Sequence, residues 1–135
     1  MTDEELTEVI CTALATVDEW EYPATKTSTV GIFYGPIANT PEQAVGVRVY
    51  GLADSRDSGV RGRRVQVRYR GPRGAPQGAD RLAALGTPTL ENLSRVGGIS
   101  GVTHLSMAPM GADDNGRDER TDNYIITLDN HNLEA

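Results

Sequence analysis

An α+β fold, with a mainly antiparallel sheet of about five strands and two helices packed on one face, is what the sequence predicts. Three observations carry that expectation. An N-terminal segment repeats apolar residues at helical spacing, several central segments alternate valine with polar residues, and a second helical segment interrupts the strands. The expected order is α-β-β-β-α-β-β, and a length of 135 residues suits a single domain spanning 1–135.

Residues 2–18 read as the first helix. Thr2 and Glu5 have the spacing of a capping box, and Asp3, Glu4 and Glu5 suit the positive end of the helix dipole. Leu6, Val9, Ile10, Ala13, Leu14 and Val17 form one apolar stripe, which Trp20 extends before Pro23 ends it. Cys11 lies at the edge of that stripe and reads as a half-buried thiol, not a nucleophile. Strands follow at Val30–Tyr34 and at 45–50, where Val45, Val47 and Val49 alternate with Gly46, Arg48 and Tyr50. Between them "GPIANTPEQ", with its two prolines, is an irregular loop. The stretch "GRRVQVRYRG" places Val65, Val67 and Tyr69 on one side of a strand and Arg64, Gln66, Arg68 and Arg70 on the other. Arg48 has the same parity, so a hairpin of these two strands would display one cationic face.

Gly71–Gly74 reads as a turn, and residues 77–95 as a second helix that Gly86 and Pro88 should kink or split. Val102–Met107 and Asp122–Leu128 are the last two strands, with Asn115-Gly116 marking a turn between them. The loops 51–62 and 109–119 are long, polar and glycine-rich. Both are expected to be mobile in a free subunit and to order on assembly.

Composition narrows the function classes. The net charge is −6, yet the charges lie in blocks. Residues 1–25 hold seven acids and no Lys or Arg, 61–73 hold six arginines and no acid, and 113–122 hold five acids and two arginines. Residues 1–20 have neither the basic start nor the apolar run of a signal peptide, and no segment approaches membrane-spanning length. A single cysteine excludes an internal disulfide and fits assembly inside a cell. His104 and His131 are the only histidines, and neither has a spaced Cys or His partner, so a zinc site is not expected. "DDNG" resembles a calcium loop, but with Gly116 at the sixth position Gly111 falls where the first Asp ligand belongs. No phosphate-binding glycine loop, dinucleotide fingerprint or serine elbow is present. Catalysis, a metal and a cofactor are therefore not expected.

What remains is the arginine face, with three readings. A nucleic-acid surface fits the cluster but not the acidic balance of the whole chain. A solvated face that guards a sheet against aggregation and a protein interface both fit better, since arginine is favoured where flat, multi-donor contacts are made.

The order of four stretches resembles the tail terminator proteins of long-tailed bacteriophages, often labelled minor capsid or head–tail joining proteins. They are the acidic N-terminal helix, "VGIFYGPIANTPEQAVGVRVYG" (30–51), "RRVQVRYRG" (63–71) leading into "GADRLAAL", and "GADDNGRDERTDNYIITL" (111–128). They span most of the chain, and "GTPT" at 86–89 departs from the smoother helix of such proteins. The resemblance implies a non-enzymatic virion protein of the head–tail junction, assembled in the host cytoplasm. Such proteins form a homo-oligomeric ring, commonly a hexamer, on the head-proximal end of the tail tube. The ring stops tube polymerisation, meets the head-completion or connector protein, and lets genomic DNA pass through its lumen unbound. A head-completion or stopper protein of the same junction is the nearest alternative, and a small nucleic-acid-binding module the alternative from another class. In a ring, one patch of each subunit meets a different patch on the next. The expected patches are Arg48, Arg64, Arg68 and Arg70 on one side. On the other are Asp113, Asp114, Asp118 and Glu119, or the acidic N-terminal helix. That assignment expects an Arg68→Ala, Arg70→Ala variant to fold normally and fail to assemble.

Overall fold

A computed structural model of the protein describes residues 1–55 and 59–129. Residues 56–58 of the 51–62 loop, and His131 with the rest of the C-terminus, lie outside the described residues. The elements are α1 (Asp3–Leu14), β1 (Trp20–Glu21), β2 (Val30–Tyr34), β3 (Gln43–Leu52), β4 (Arg61–Arg73), α2 (Gly78–Glu91), β5 (Ile99–Ala112) and β6 (Arg117–Leu128).

The capping box starts α1 as its sequence demands. The Glu5 amide donates to Thr2 Oγ1 at 3.0 Å, and the Thr2 amide donates to Glu5 Oε1 at 2.9 Å. The helix ends at Leu14, a turn earlier than the apolar stripe suggested. Thr16 and Val17 tighten to i→i−3 bonds on Ala13 and Leu14, and Glu19 takes a left-handed φ of 69° that redirects the chain. Trp20 still packs in the same core, but from a strand. The apolar spacing therefore survives the change of secondary structure, which is why it masked the end of the helix.

The strands form one six-stranded sheet in the order β1-β2-β3-β4-β6-β5. The pairs β1–β2 and β2–β3 are parallel, and the other three are antiparallel. The sheet is thus mixed and six-stranded, where about five mainly antiparallel strands were expected. The extra strand, β1, is two residues long and offers no periodicity to read. The parallel β2–β3 pair depends on where the 35–42 connection goes, which strand patterns do not encode. It doubles back over the sheet face opposite the helices. Gly46 permits this approach: a Cβ there would stand 2.6 Å from the Gly35 carbonyl oxygen and 2.9 Å from Ile37 Cγ1.

Both helices cover the other face. Leu6, Ile10 and Leu14 of α1 and Ala79, Leu82, Ala83 and Leu90 of α2 share one apolar cluster with the inward strand residues. Val45, Val47, Val65, Val67 and Tyr69 are buried in it, as alternation requires. Helix α2 is continuous through Gly86 and Pro88, contrary to the expected break. Pro88 sits in the final turns, where the backbone bond it removes lies on the exposed side of the helix, and its own carbonyl still accepts from Asn92 at 3.0 Å. Gly86 is where the helix rests on Tyr69.

Strands β4, β5 and β6 run further than expected. Positions 71–73 continue β4 past an irregularity instead of turning. The supposed loop 109–119 is mostly strand, with 113–116 alone left as a turn. Alternation of charge replaces alternation of hydrophobicity there: Arg117, Glu119 and Thr121 face one way, Asp118, Arg120 and Asp122 the other. A hydrophobic pattern could not reveal a strand whose two faces are both polar.

Candidate functional site

The sheet face away from the helices carries Arg48 on β3, Arg64, Gln66, Arg68 and Arg70 on β4, and Glu119, Thr121 and Asn123 on β6. The β3–β4 register sets Arg48 opposite Gln66, Gly46 opposite Arg68 and Ala44 opposite Arg70. The cationic row therefore exists, but its members do different things.

Arg70 is buried, with 5% of its surface exposed. Its Nε donates to the Glu42 carbonyl at 2.9 Å, and its Nη2 donates to the carbonyls of Ala38, Pro41 and Asn39 at 2.8, 2.8 and 3.3 Å. Arg117 reaches the same connection from β6, donating from Nη1 to the Asn39 carbonyl at 2.8 Å and from Nη2 to Asn39 Oδ1 at 2.9 Å. Backbone carbonyls of an irregular segment laid over a sheet must find donors, and these two guanidinium groups supply them. Burial, and secondarily the adjacent Arg117, pull the Arg70 pKa below its usual value. The expectation that Arg70 stands outside the subunit's core is thus corrected: it is a clamp on residues 38–42.

Arg68 is half exposed and pairs with Glu119 of its own chain, whose carboxylate is nearly buried. Glu119 is therefore engaged within the subunit. Asp113 is engaged too. Its Oδ1 accepts from the amides of Asn115 and Arg117, and its Oδ2 accepts from Arg117 Nε, all at 2.9 Å. These bonds close the β5–β6 turn and hold Arg117 in place for Asn39. The amide of Arg117 is the largest influence lowering the Asp113 pKa below the usual carboxylate range. A group whose folded pKa is depressed gives stability that is full above its unfolded pKa and is lost as pH falls through the folded value. The Asn115 and Arg117 amide resonances should accordingly shift together below about pH 4, whereas an Asp113→Ala variant should show no such step.

Asp114 is exposed and Asp118 half-buried, and Arg48 and Arg64 make no ion pair among the described residues. Of the eight residues expected at an interface, these four remain uncommitted. Arg48 borders a shallow hollow of about 520 Å³ lined by Gly35, Pro36, Gly46, Gln66 and Arg68.

Three further side chains, Arg63, Arg120 and His104, make contacts that were not legible beforehand. Arg63 ties α1 to the β3–β4 hairpin, with Nε at 3.0 Å from Asp3 Oδ1 and Nη1 at 3.2 Å from Asp54 Oδ1. Arg120 grips the fully buried Asp122 through Nε and Nη2 at 2.8 and 2.7 Å, and reaches Asp80 of α2 at 3.0 Å. Asp122 is the main cause that raises the Arg120 pKa. His104 Nε2 lies 2.9 Å from Asp122 Oδ2, and the His104 ring stacks on Tyr124 at 4.8 Å. These groups pin β5, β6 and α2 together. The polar alternation over 117–122 was the one signal that could have disclosed them. Cys11 is fully buried, not half-buried, and desolvation pushes its thiol up to about 12, so no reactive thiolate is offered. Among the described residues no three His, Cys, Asp or Glu side chains group in a way that could hold a metal, and no helix is long and apolar enough to cross a membrane.

Residues 14–130 match the family model described as the bacteriophage tail terminator protein. No curated protein matches the chain.

Proposed function

Because this chain belongs to the bacteriophage tail terminator family, and is thereby a structural component of the phage tail, we propose that it ends tail-tube growth. In this reading, copies of the chain close into a ring, commonly of six, on the head-proximal end of the tube. The ring presents a surface for the head-completion or connector protein, and genomic DNA crosses its lumen without being held. The unit of assembly is one domain built from the whole chain. The family match carries the reading. The spent arginines support it, since a lumen that lets DNA slide should not grip phosphates. Arg63, Arg68, Arg70 and Arg73, four of the six arginines clustered in 61–73, have partners inside the subunit, as do Arg117 and Arg120.

The test is tube length. Tail-tube protein polymerising with the purified chain should give tubes of limited length, each with extra density at one end in negative-stain micrographs. Tubes that grow equally long with and without it would sink the proposal.

A further inference from the structure

Strand β5 lies at one edge of the sheet and is unusually bare. All ten residues from Thr103 to Ala112 are exposed. Leu105, Met107 and Met110 show 49, 42 and 55% of their surface. No Asp, Glu, Lys or Arg occurs anywhere in 99–112. An edge strand with an open row of backbone donors and acceptors is a template for pairing, and proteins usually blunt it with charge. Here Pro109 and three register irregularities are the blunting devices present, and charge is absent.

The sheet has a second open edge on its other side. Strand β2 pairs with β3 from Gln43 to Val47 and stops. From Arg48 to Leu52, β3 has β4 as its neighbour on one side and, among the described residues, no strand on the other. Tyr50 and Leu52 on that stretch are 48 and 64% exposed. Five residues is an ordinary length for a strand pairing. One chain thus carries two open edges of one sheet, both flanked by exposed apolar side chains of the kinds enriched at interfaces, methionine on one and tyrosine on the other.

We infer that β5 of one copy pairs edge to edge with the 48–52 stretch of β3 in the next copy. The inference rests on the ring reading, because a contact between two different patches is what closes a ring. The occupant of each edge is therefore a second copy of this chain. Main-chain hydrogen bonds continue the sheet across the junction, and the Met and Tyr side chains pack beside them.

The test uses two variants of the full chain. One carries Leu105→Lys and Met107→Lys, and the other carries Leu52→Lys and Tyr50→Lys. All four sites are exposed, so both variants should melt within a few degrees of the parent. By sedimentation, the parent should assemble and each variant alone should remain a monomer. Mixed together, the two should form a one-to-one dimer and nothing larger, because each retains the edge that the other lacks. Three results would overturn the inference: a parent that stays monomeric, a β5 variant that assembles like the parent, or a mixture that stays monomeric. A Leu52→Lys, Tyr50→Lys variant that dimerises by itself would also overturn it and point to β5 pairing with itself. Tube length is read separately with the parent, so a ring that forms by these edges yet leaves tubes unlimited would refute the proposed function and not the contact.

Discussion

Replacing Arg70 with methionine is expected to cost about 3–5 kcal/mol of stability, because four hydrogen bonds from a charged donor are lost at once. Methionine keeps the volume but removes every donor, leaving the carbonyls of Ala38, Asn39, Pro41 and Glu42 without the bonds that Arg70 supplies. The buried Pro41 carbonyl, left without that donor, is the largest single part of that cost, while the Asn39 carbonyl keeps its bond from Arg117. For a chain of this size the melting temperature should fall by roughly 10–20 °C. The control is Arg48→Ala, whose exposed guanidinium should matter by less than about 0.5 kcal/mol to folding. Calorimetry of the two variants decides the matter. A drop of under 2 °C or so in Arg70→Met would mean that water replaces the clamp. This reverses the sequence-based expectation that an Arg68→Ala, Arg70→Ala variant folds normally.

Gly86→Ala should also destabilise, although it exchanges a poor helix former for the best one. In an exposed helix that change gains about 1 kcal/mol. Here the new Cβ would lie 2.3 Å from the Tyr69 hydroxyl oxygen and 2.9 Å from its Cε1, closer than packing tolerates. Overpacking of a core commonly costs about 1–3 kcal/mol and should win, for a net loss of about 2 kcal/mol. The Tyr69 hydroxyl is itself buried without a hydrogen-bond partner among the described residues. The Tyr124 hydroxyl is near enough to perturb it, but sits 2.6 Å from Thr87 Oγ1. Tyr69→Phe should thus be neutral or stabilising alone, and should restore at least half of the Gly86→Ala loss. Denaturant midpoints for the three variants test this, and a stabilised Gly86→Ala protein would show that the ring moves aside freely.

How far the fold could be read from the sequence depended on what each element buries. Where one face is apolar and the other polar, as along 63–70 and in the first helix, parity and spacing were correct. Val65, Val67 and Tyr69 are in the core, and Leu6, Ile10 and Leu14 form the stripe that faces it. Where a strand is polar on both faces, as in 117–122, or exposed on both, as in 103–112, no period marks its extent. Long-range pairing was equally hidden. Arg70 and Arg68 have the same parity and the same chemistry, yet one is a buried clamp and the other half exposed, because the 35–42 connection happens to cover one and not the other. Parity tells which face a residue lies on, not what lies over that face.

The clamp over 38–42 has a consequence for the order in which the chain folds. Asn39 takes its bonds from Arg117, 78 residues further along. Its other donor, Arg70, is 31 residues away. No local nucleus can therefore seat this segment, and contacts that span so much of the chain carry a loop-closure cost before they return anything. The bonds on Asn39 in particular are complete only once the late hairpin of β5 and β6 has formed. A chain still emerging from the ribosome can build α1 and the β3–β4 hairpin, but it leaves this face unfinished until nearly its last strand is made.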